Sequence, residues 1–203
     1  MSEPIRVAID FKSPTSYLAI APSRALETRL GRTFDWLPVS VPALARPKPA
    51  AASEDRGARH RRIRAAYVAN DLRRYAAARG LELGDVHREP DTTAASLGLL
   101  WLRRQASARV SDYVDRVFDR VWRENADADV GFVVEALAEE ADGFRAYAAG
   151  DGPHELEAVR AGLADAGVWN TPAYLVADDL FIGRQHLPMV EWLAGGRTGT
   201  PPI

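Results

Sequence analysis

The chain has 203 residues, with 26 Lys and Arg against 28 Asp and Glu, a formal charge of −2 and no cysteine. That length fits one compact domain, or a domain with a large insertion, and folding buries roughly 70% of the unfolded surface, so no disulfide staple is needed. The lack of thiols excludes disulfide exchange, a cysteine nucleophile and thiolate metal ligation by the chain itself, and the balanced charge argues against nucleic acid or a membrane surface as partner.

The opening MSEPIRVAIDF lacks a basic segment followed by a long apolar one, and no later stretch holds eighteen uninterrupted apolar residues. A soluble, cytoplasmic protein is the expectation. Ile5 to Phe11 is an apolar run with the character of a buried strand. Pro14 to Leu30 has helical composition and is stopped by Gly31, and Phe34 to Val41 forms a second strand despite Pro38. Two strands joined through a helix are expected to be parallel, which puts the loop holding Ser13 at the carboxyl end of the first strand, where clefts form in open α/β sheets.

From Ala43 to Gly57 the chain is rich in proline and alanine, has no apolar period and reads as a loop, either a plain linker or an arm over a site. Helical spacing then dominates. Ile63, Tyr67, Leu72 and Tyr75 form one apolar set, Leu97, Leu100 and Trp101 another. Val110, Val114, Val117, Phe118, Val121 and Trp122 follow, then Val133, Val134 and Leu137, and finally Leu156, Val159 and Leu163. After Gly167 strands return: Ala173 to Val176, a turn at Asp178-Asp179, Leu180 to Ile182, and a closing helix from His186 to Leu193. The expected organisation is a discontinuous strand-bearing domain of residues 1–42 and 167–203, a loop at 43–57 and a helical insertion at 58–166.

The junction Ser13-Pro14-Thr15-Ser16 is the candidate site. Pro14 suits the first helical position and Ser13 is a favoured N-cap, so one reading is simple capping. The other follows from place: a helix N-terminus offers free amide donors and about half a positive charge, which stabilises an anion above Ser13 and lowers the pKa of a thiol held there.

A strand, an S-P-x-S helix start, a helical insertion and a closing G-V-x-x-x-P-strand-turn-strand-helix together resemble the thioredoxin-like group of DsbA-type oxidoreductases, kappa-class glutathione transferases and 2-hydroxychromene-2-carboxylate isomerases. The opening DFKSPTSYLA is most similar to the last two. The resemblance implies an α/β, thioredoxin-like fold with a large all-helical insertion. Ser13-Pro14-Thr15-Ser16 stands where DsbA-type proteins carry C-P-x-C, so the chain would supply serine while glutathione, the implied cofactor, supplies the thiol. The implied activity is glutathione-dependent cis-trans isomerisation of an aromatic-derived conjugated keto acid, as in aromatic catabolism. A glutathione transferase and a non-catalytic binding protein on the same scaffold are the alternatives. A small-molecule substrate and a homodimer are the implied partners, with no nucleic acid and no membrane.

Residue by residue, the resemblance makes Ser13 catalytic, as donor to the glutathione thiolate. It makes the Thr171-Pro172 bond cis, with the Thr171 backbone facing Ser13 and pairing with the glutathione peptide. Lys48 stands nearest to the family's asparagine-lysine-proline segment. Gln185, followed by His186, replaces the usual aspartate-arginine pair, so a neutral amide would meet the γ-glutamyl end. Trp169 either walls the substrate pocket or packs the loop. Of the remaining residues, Arg59 to Arg64 reads as a solvated basic face or an anion grip, and the five tryptophans lie mostly in apolar patterns. His60, His87, His154 and His186 lack ligand spacing, and no metal site is expected.

Overall fold

The structure is a computed structural model that describes residues 3–47, 49, 53, 55–81 and 83–202. Strand β1 (Arg6–Ile9) runs parallel to β2 (Asp35–Pro38), with Val7 opposite Trp36 and Ile9 opposite Pro38. Between them lies helix α1 (Pro14–Leu30). Its ends follow from local chemistry: Ser13 caps the first turn, Pro14 opens it, and Gly31 at φ 60° returns its N–H to Glu27 and Thr28. Pro38 is tolerated because β2 is an edge strand.

Strands β3 (Ala173–Val176) and β4 (Asp179–Ile182) form a hairpin on the other side of β1, giving the order β2-β1-β3-β4. The hairpin turn falls on Ala177 and Asp178, one residue earlier than expected, because Asp179 already pairs with Val176. A short 3-10 turn (Arg184–His186) leads into the closing helix α8 (Leu187–Ala194).

Helices α2 (Arg56–Ala77), α3 (Thr93–Arg104), α4 (Val110–Phe118), α5 (Val130–Leu137), α6 (Phe144–Ala149) and α7 (Asp151–Asp165) lie between β2 and β3. Alternation along β1 divides the core. Val7 and Ile9 join Trp36, Tyr174 and the helical cluster of Leu99, Leu100, Val114, Phe118 and Val133. Ala8 faces Leu37, Leu175 and Leu163 of α7 on the opposite side. Buried on both faces, β1 reads in sequence as a continuous apolar run.

Helix α2 departs from the expected apolar face. Leu72 is buried with Ala69 and Ala76 against Leu18, whereas Ile63, Tyr67 and Tyr75 are exposed by 51%, 62% and 47%. A stripe of two alanines and one leucine suffices to seat the helix, and the larger side chains point away. Tyr75 instead receives the Arg184 guanidinium, 4.0 Å from its ring centroid. Tryptophan placement is likewise split: Trp36 and Trp122 are buried, Trp101 and Trp192 half-buried, and Trp169 is 69% exposed.

Inside α1, Pro22 has no N–H to give the Leu18 carbonyl four residues earlier. Arg79, just beyond α2, donates its Nη1 to that carbonyl at 2.5 Å. An interhelical contact thus replaces the missing helical bond and ties α2 to α1. Arg79→Met is expected to lower the unfolding free energy by about 1 to 2 kcal/mol in urea titrations. In Pro22→Ala, which restores the backbone donor, the same substitution should cost clearly less, and equal costs in both backgrounds would dismiss this role.

Candidate functional site

The site is assembled where the carboxyl ends of β1 and β2 meet the loop before β3. Asp10 ends β1 and is 2% exposed. Its Oδ1 accepts the Lys12 N–H at 3.0 Å and its Oδ2 the Val41 N–H at 2.8 Å, so one carboxyl ties together the loops that follow both parallel strands. The loop after β1 is also held from the insertion. Beyond α4 the helix widens into a π-helical turn (Asp119–Arg123), and from it Trp122 Nε1 donates to the Phe11 carbonyl at 3.0 Å. Tyr17 donates its hydroxyl to Asp119 at 2.9 Å from the second turn of α1. Ser13 is therefore presented by a loop pinned on both flanks.

Ser13 is 8% exposed and caps α1 through its side chain, with Ser16 N–H donating to Ser13 Oγ at 3.4 Å. Ser16, in the first turn of α1, accepts the Asp10 N–H at 3.3 Å and is fully buried. The reason is tertiary: the tight loop folds back over the first helical turn and brings that donor within reach.

The Thr171-Pro172 bond is cis, as expected, and lies against the Ser13 loop. Thr15 Oγ1 donates to the Thr171 carbonyl at 2.7 Å, and Thr15 Oγ1 and Ser13 Oγ are 2.6 Å apart. The Thr171 N–H donates to the Asn170 side chain at 2.8 Å. Both backbone groups of Thr171 thus have partners within the chain. Its own hydroxyl, Thr171 Oγ1, is buried and has no hydrogen-bond partner among the described residues.

Ser13, Pro14, Thr15 and Asn170 open onto a cavity of about 230 Å³ walled by Val41, Leu44, Val68 and Leu72. Among the described residues Lys12 is the charged side chain on its lining, and its Nζ donates to Ser40 Oγ at 2.9 Å while lying 4.0 Å from Asp10. The arrangement offers an anion a helix N-terminus, a hydroxyl and an ammonium beside apolar walls.

The other candidate residues are dispersed. Gln185 is exposed, turns its Nε2 back onto the Ile182 carbonyl at 3.1 Å, and lines a separate groove with Tyr67, Tyr75, Arg79 and Arg184. The turn that carries it is nevertheless anchored beside the cis-proline, because Gly183 N–H donates to the Pro172 carbonyl at 2.8 Å. Trp169 neither packs the loop nor lines the Ser13 cavity. Lys48 lies outside the described residues. No cluster of metal-ligating side chains occurs among the described residues. Asp10, Lys12, Thr15 and Asn170 escaped the sequence reading. For Thr15 a signal existed, a third hydroxyl inside the S-P-T-S motif, and for Asp10 it was an acid closing an apolar strand.

A sheet in this order, with a capped helix facing a cis-proline and helices inserted between its halves, defines a thioredoxin-fold protein of the DsbA kind. The DSBA-like thioredoxin domain family matches residues 5–193, and the chain belongs to that family. Among solved structures it is similar to a 2-hydroxychromene-2-carboxylate isomerase, with 24% identity and a TM-score of 0.70 over 96% of this chain and 95% of that one. It is also similar to a probable DsbA oxidoreductase from Streptomyces coelicolor, with 18% identity and a TM-score of 0.68 over 98% and 93%. A third is the cytosolic disulfide reductase DsbM from Pseudomonas aeruginosa with GSH, at 17% identity and 0.61 over 97% and 98%. No curated protein sequence matches the chain.

Burial raises the Asp10 carboxyl above its ordinary value of 3.8, and the Val41 and Lys12 amides and the Lys12 charge offset this only in part. A carboxyl whose folded-state pKa exceeds its unfolded one favours folding most when protonated. Its contribution is therefore greatest at acid pH and falls as pH rises from about 3.8 through the raised value. Unfolding free energies of wild type and Asp10→Asn, compared between acid and neutral pH, should show the wild-type advantage shrinking as pH rises. An advantage that grows with pH would contradict the assignment.

Proposed function

We propose that the protein is a glutathione-dependent cis-trans isomerase acting on a small conjugated keto acid. The observation that carries this reading is the abutment of the Ser13-Pro14-Thr15 start of α1 on the cis Thr171-Pro172 loop, through Thr15 Oγ1 and the Thr171 carbonyl, in a chain with no cysteine. Dithiol redox chemistry like that of a disulfide reductase requires sulfur that this chain lacks, whereas a thiol borrowed from glutathione would give the serine motif a role. The helix terminus favours a thiolate over a thiol.

Bound glutathione would supply a thiolate that adds to the conjugated double bond, permits rotation about the resulting single bond and is expelled again. Within that chemistry Ser13 and the positive end of α1 would hold the negative sulfur. Lys12 is placed to balance charge that moves onto the substrate's carbonyl oxygen or carboxylate. Val41, Leu44, Val68 and Leu72 give the pocket an apolar wall suited to a flat, unsaturated body. A volume of about 230 Å³ is small beside typical drug-sized sites of roughly 300–1,000 Å³. It accommodates the acceptor and the thiol end, and leaves the rest of the tripeptide along the rim. Gln185, neutral and turned onto Ile182 in a separate groove, would give the γ-glutamyl amine no charge-assisted anchor.

Mass spectrometry of a glutathione-dependent reaction separates the outcomes. An isomerase conserves substrate mass, a transferase adds the mass of glutathione, and a binding protein gives neither product. Ser13→Gly, which keeps most of the capping but removes the hydroxyl, is expected to lower kcat/KM by about 10- to 100-fold. Full turnover in Ser13→Gly would reduce Ser13 to a cap. Ser16→Ala strands the Asp10 N–H and should cost about 1 kcal/mol of stability with a much smaller loss of turnover.

A further inference from the structure

The hydroxyls of the S-P-T-S motif form a directed chain. A threonine hydroxyl has one proton. Thr15 spends it on the Thr171 carbonyl, which can only accept, at 2.7 Å. At 2.6 Å from Ser13 Oγ, Thr15 Oγ1 can then only receive, so the proton of that contact is Ser13's. Ser13 Oγ meanwhile accepts from Ser16 N–H. The Ser16 N–H, the Ser13 and Thr15 hydroxyls and the Thr171 carbonyl are thereby paired in one run, which leaves the Thr171 hydroxyl outside it, and the Ser13 proton points at Thr15.

We infer that Thr15 is a positioning residue that decides where the Ser13 proton is directed, and that a thiolate at this site must win this proton from Thr15. The direction of the bonds rests on geometry alone, while the consequence for a thiolate rests on the function proposed above. Thr15 is half-buried at the start of α1 and lines the same cavity as Ser13, so it stands beside the place where the anion would lie. When a thiolate arrives, the Ser13 hydroxyl turns from Thr15 to sulfur while Thr15 keeps its own bond to Thr171. One neutral hydrogen bond is given up for one charge-assisted bond, which is the stronger kind. The lost Ser13–Thr15 bond lowers the affinity that the site would otherwise have for the thiolate and keeps the thiol pKa higher than the helix terminus alone would set it.

Two measurements test this. In the ligand-free protein, a double-mutant cycle of Ser13→Ala and Thr15→Val should show coupling equivalent to about 3- to 10-fold in the unfolding constant, and strict additivity would overturn the inferred bond. With glutathione, followed by calorimetry and thiolate ultraviolet absorbance, Thr15→Val should bind about 3- to 10-fold more tightly at neutral pH and show a lower thiol pKa. Thr15→Ser should behave as wild type. S-methylglutathione, which has no thiol, should gain nothing from Thr15→Val. An equal gain for both ligands, or an unchanged thiol pKa, would overturn the role assigned to Thr15. If the cycle shows coupling but neither wild type nor Thr15→Val binds glutathione, the directed chain stands and the proposed function falls.

Discussion

The buried carboxyl of Asp10 is the constraint on which the site depends. By accepting amide protons from Lys12 and Val41, it fixes the loops leaving two parallel strands relative to each other. Those loops supply Lys12 and Ser13 on one side and the apolar wall from Val41 to Ala45 on the other. An acid in this position is costly to ionise. It is retained where backbone donors would otherwise be stranded at the end of a sheet buried on both faces. Trp122, and Asp119 as acceptor of the Tyr17 hydroxyl, complete the same task from the helical insertion, so the loop is braced by both halves of the fold.

The loop held in this way presents hydroxyls. A DsbA-like scaffold normally argues for sulfur, yet this chain has none in cysteine, and its S-P-T-S motif offers oxygen at each corresponding place. Serine at a helix N-terminus cannot exchange disulfides, but it can hold a thiolate that another molecule brings. In this structure Ser13 and Thr15 are paired with each other, while Thr15 and the Asn170 side chain occupy the two backbone groups of Thr171.

The second helix shows how little burial is needed to place an element. Ala69, Leu72 and Ala76 seat it on Leu18, and Arg79 compensates the carbonyl that Pro22 leaves open. Its tyrosines then remain at the surface, one of them beneath Arg184, and form with Gln185 a groove distinct from the Ser13 cavity. The basic run Arg59 to Arg64 lies on the same helix, on a mostly exposed stretch.

The sequence by itself determined the elements whose ends are written in neighbouring residues. Helix α1 runs from Pro14 to Leu30 because a serine cap, a proline and a terminal glycine act within one turn of where they stand. Strand β3 spans Ala173 to Val176 because proline precedes it and a turn follows. The approach of the Ser13 loop to the Thr171-Pro172 loop was legible only through the resemblance, since 156 residues separate Thr15 from Thr171. Tertiary structure alone decided which face of α2 is buried, that Ser16 serves Asp10, that Gln185 turns back on Ile182, and that Trp169 stands in solvent. The physical reason is common to all of these: a periodic pattern shows that a face exists but not what will cover it. A hydroxyl or amide likewise takes whichever partner the folded chain brings within about 3 Å.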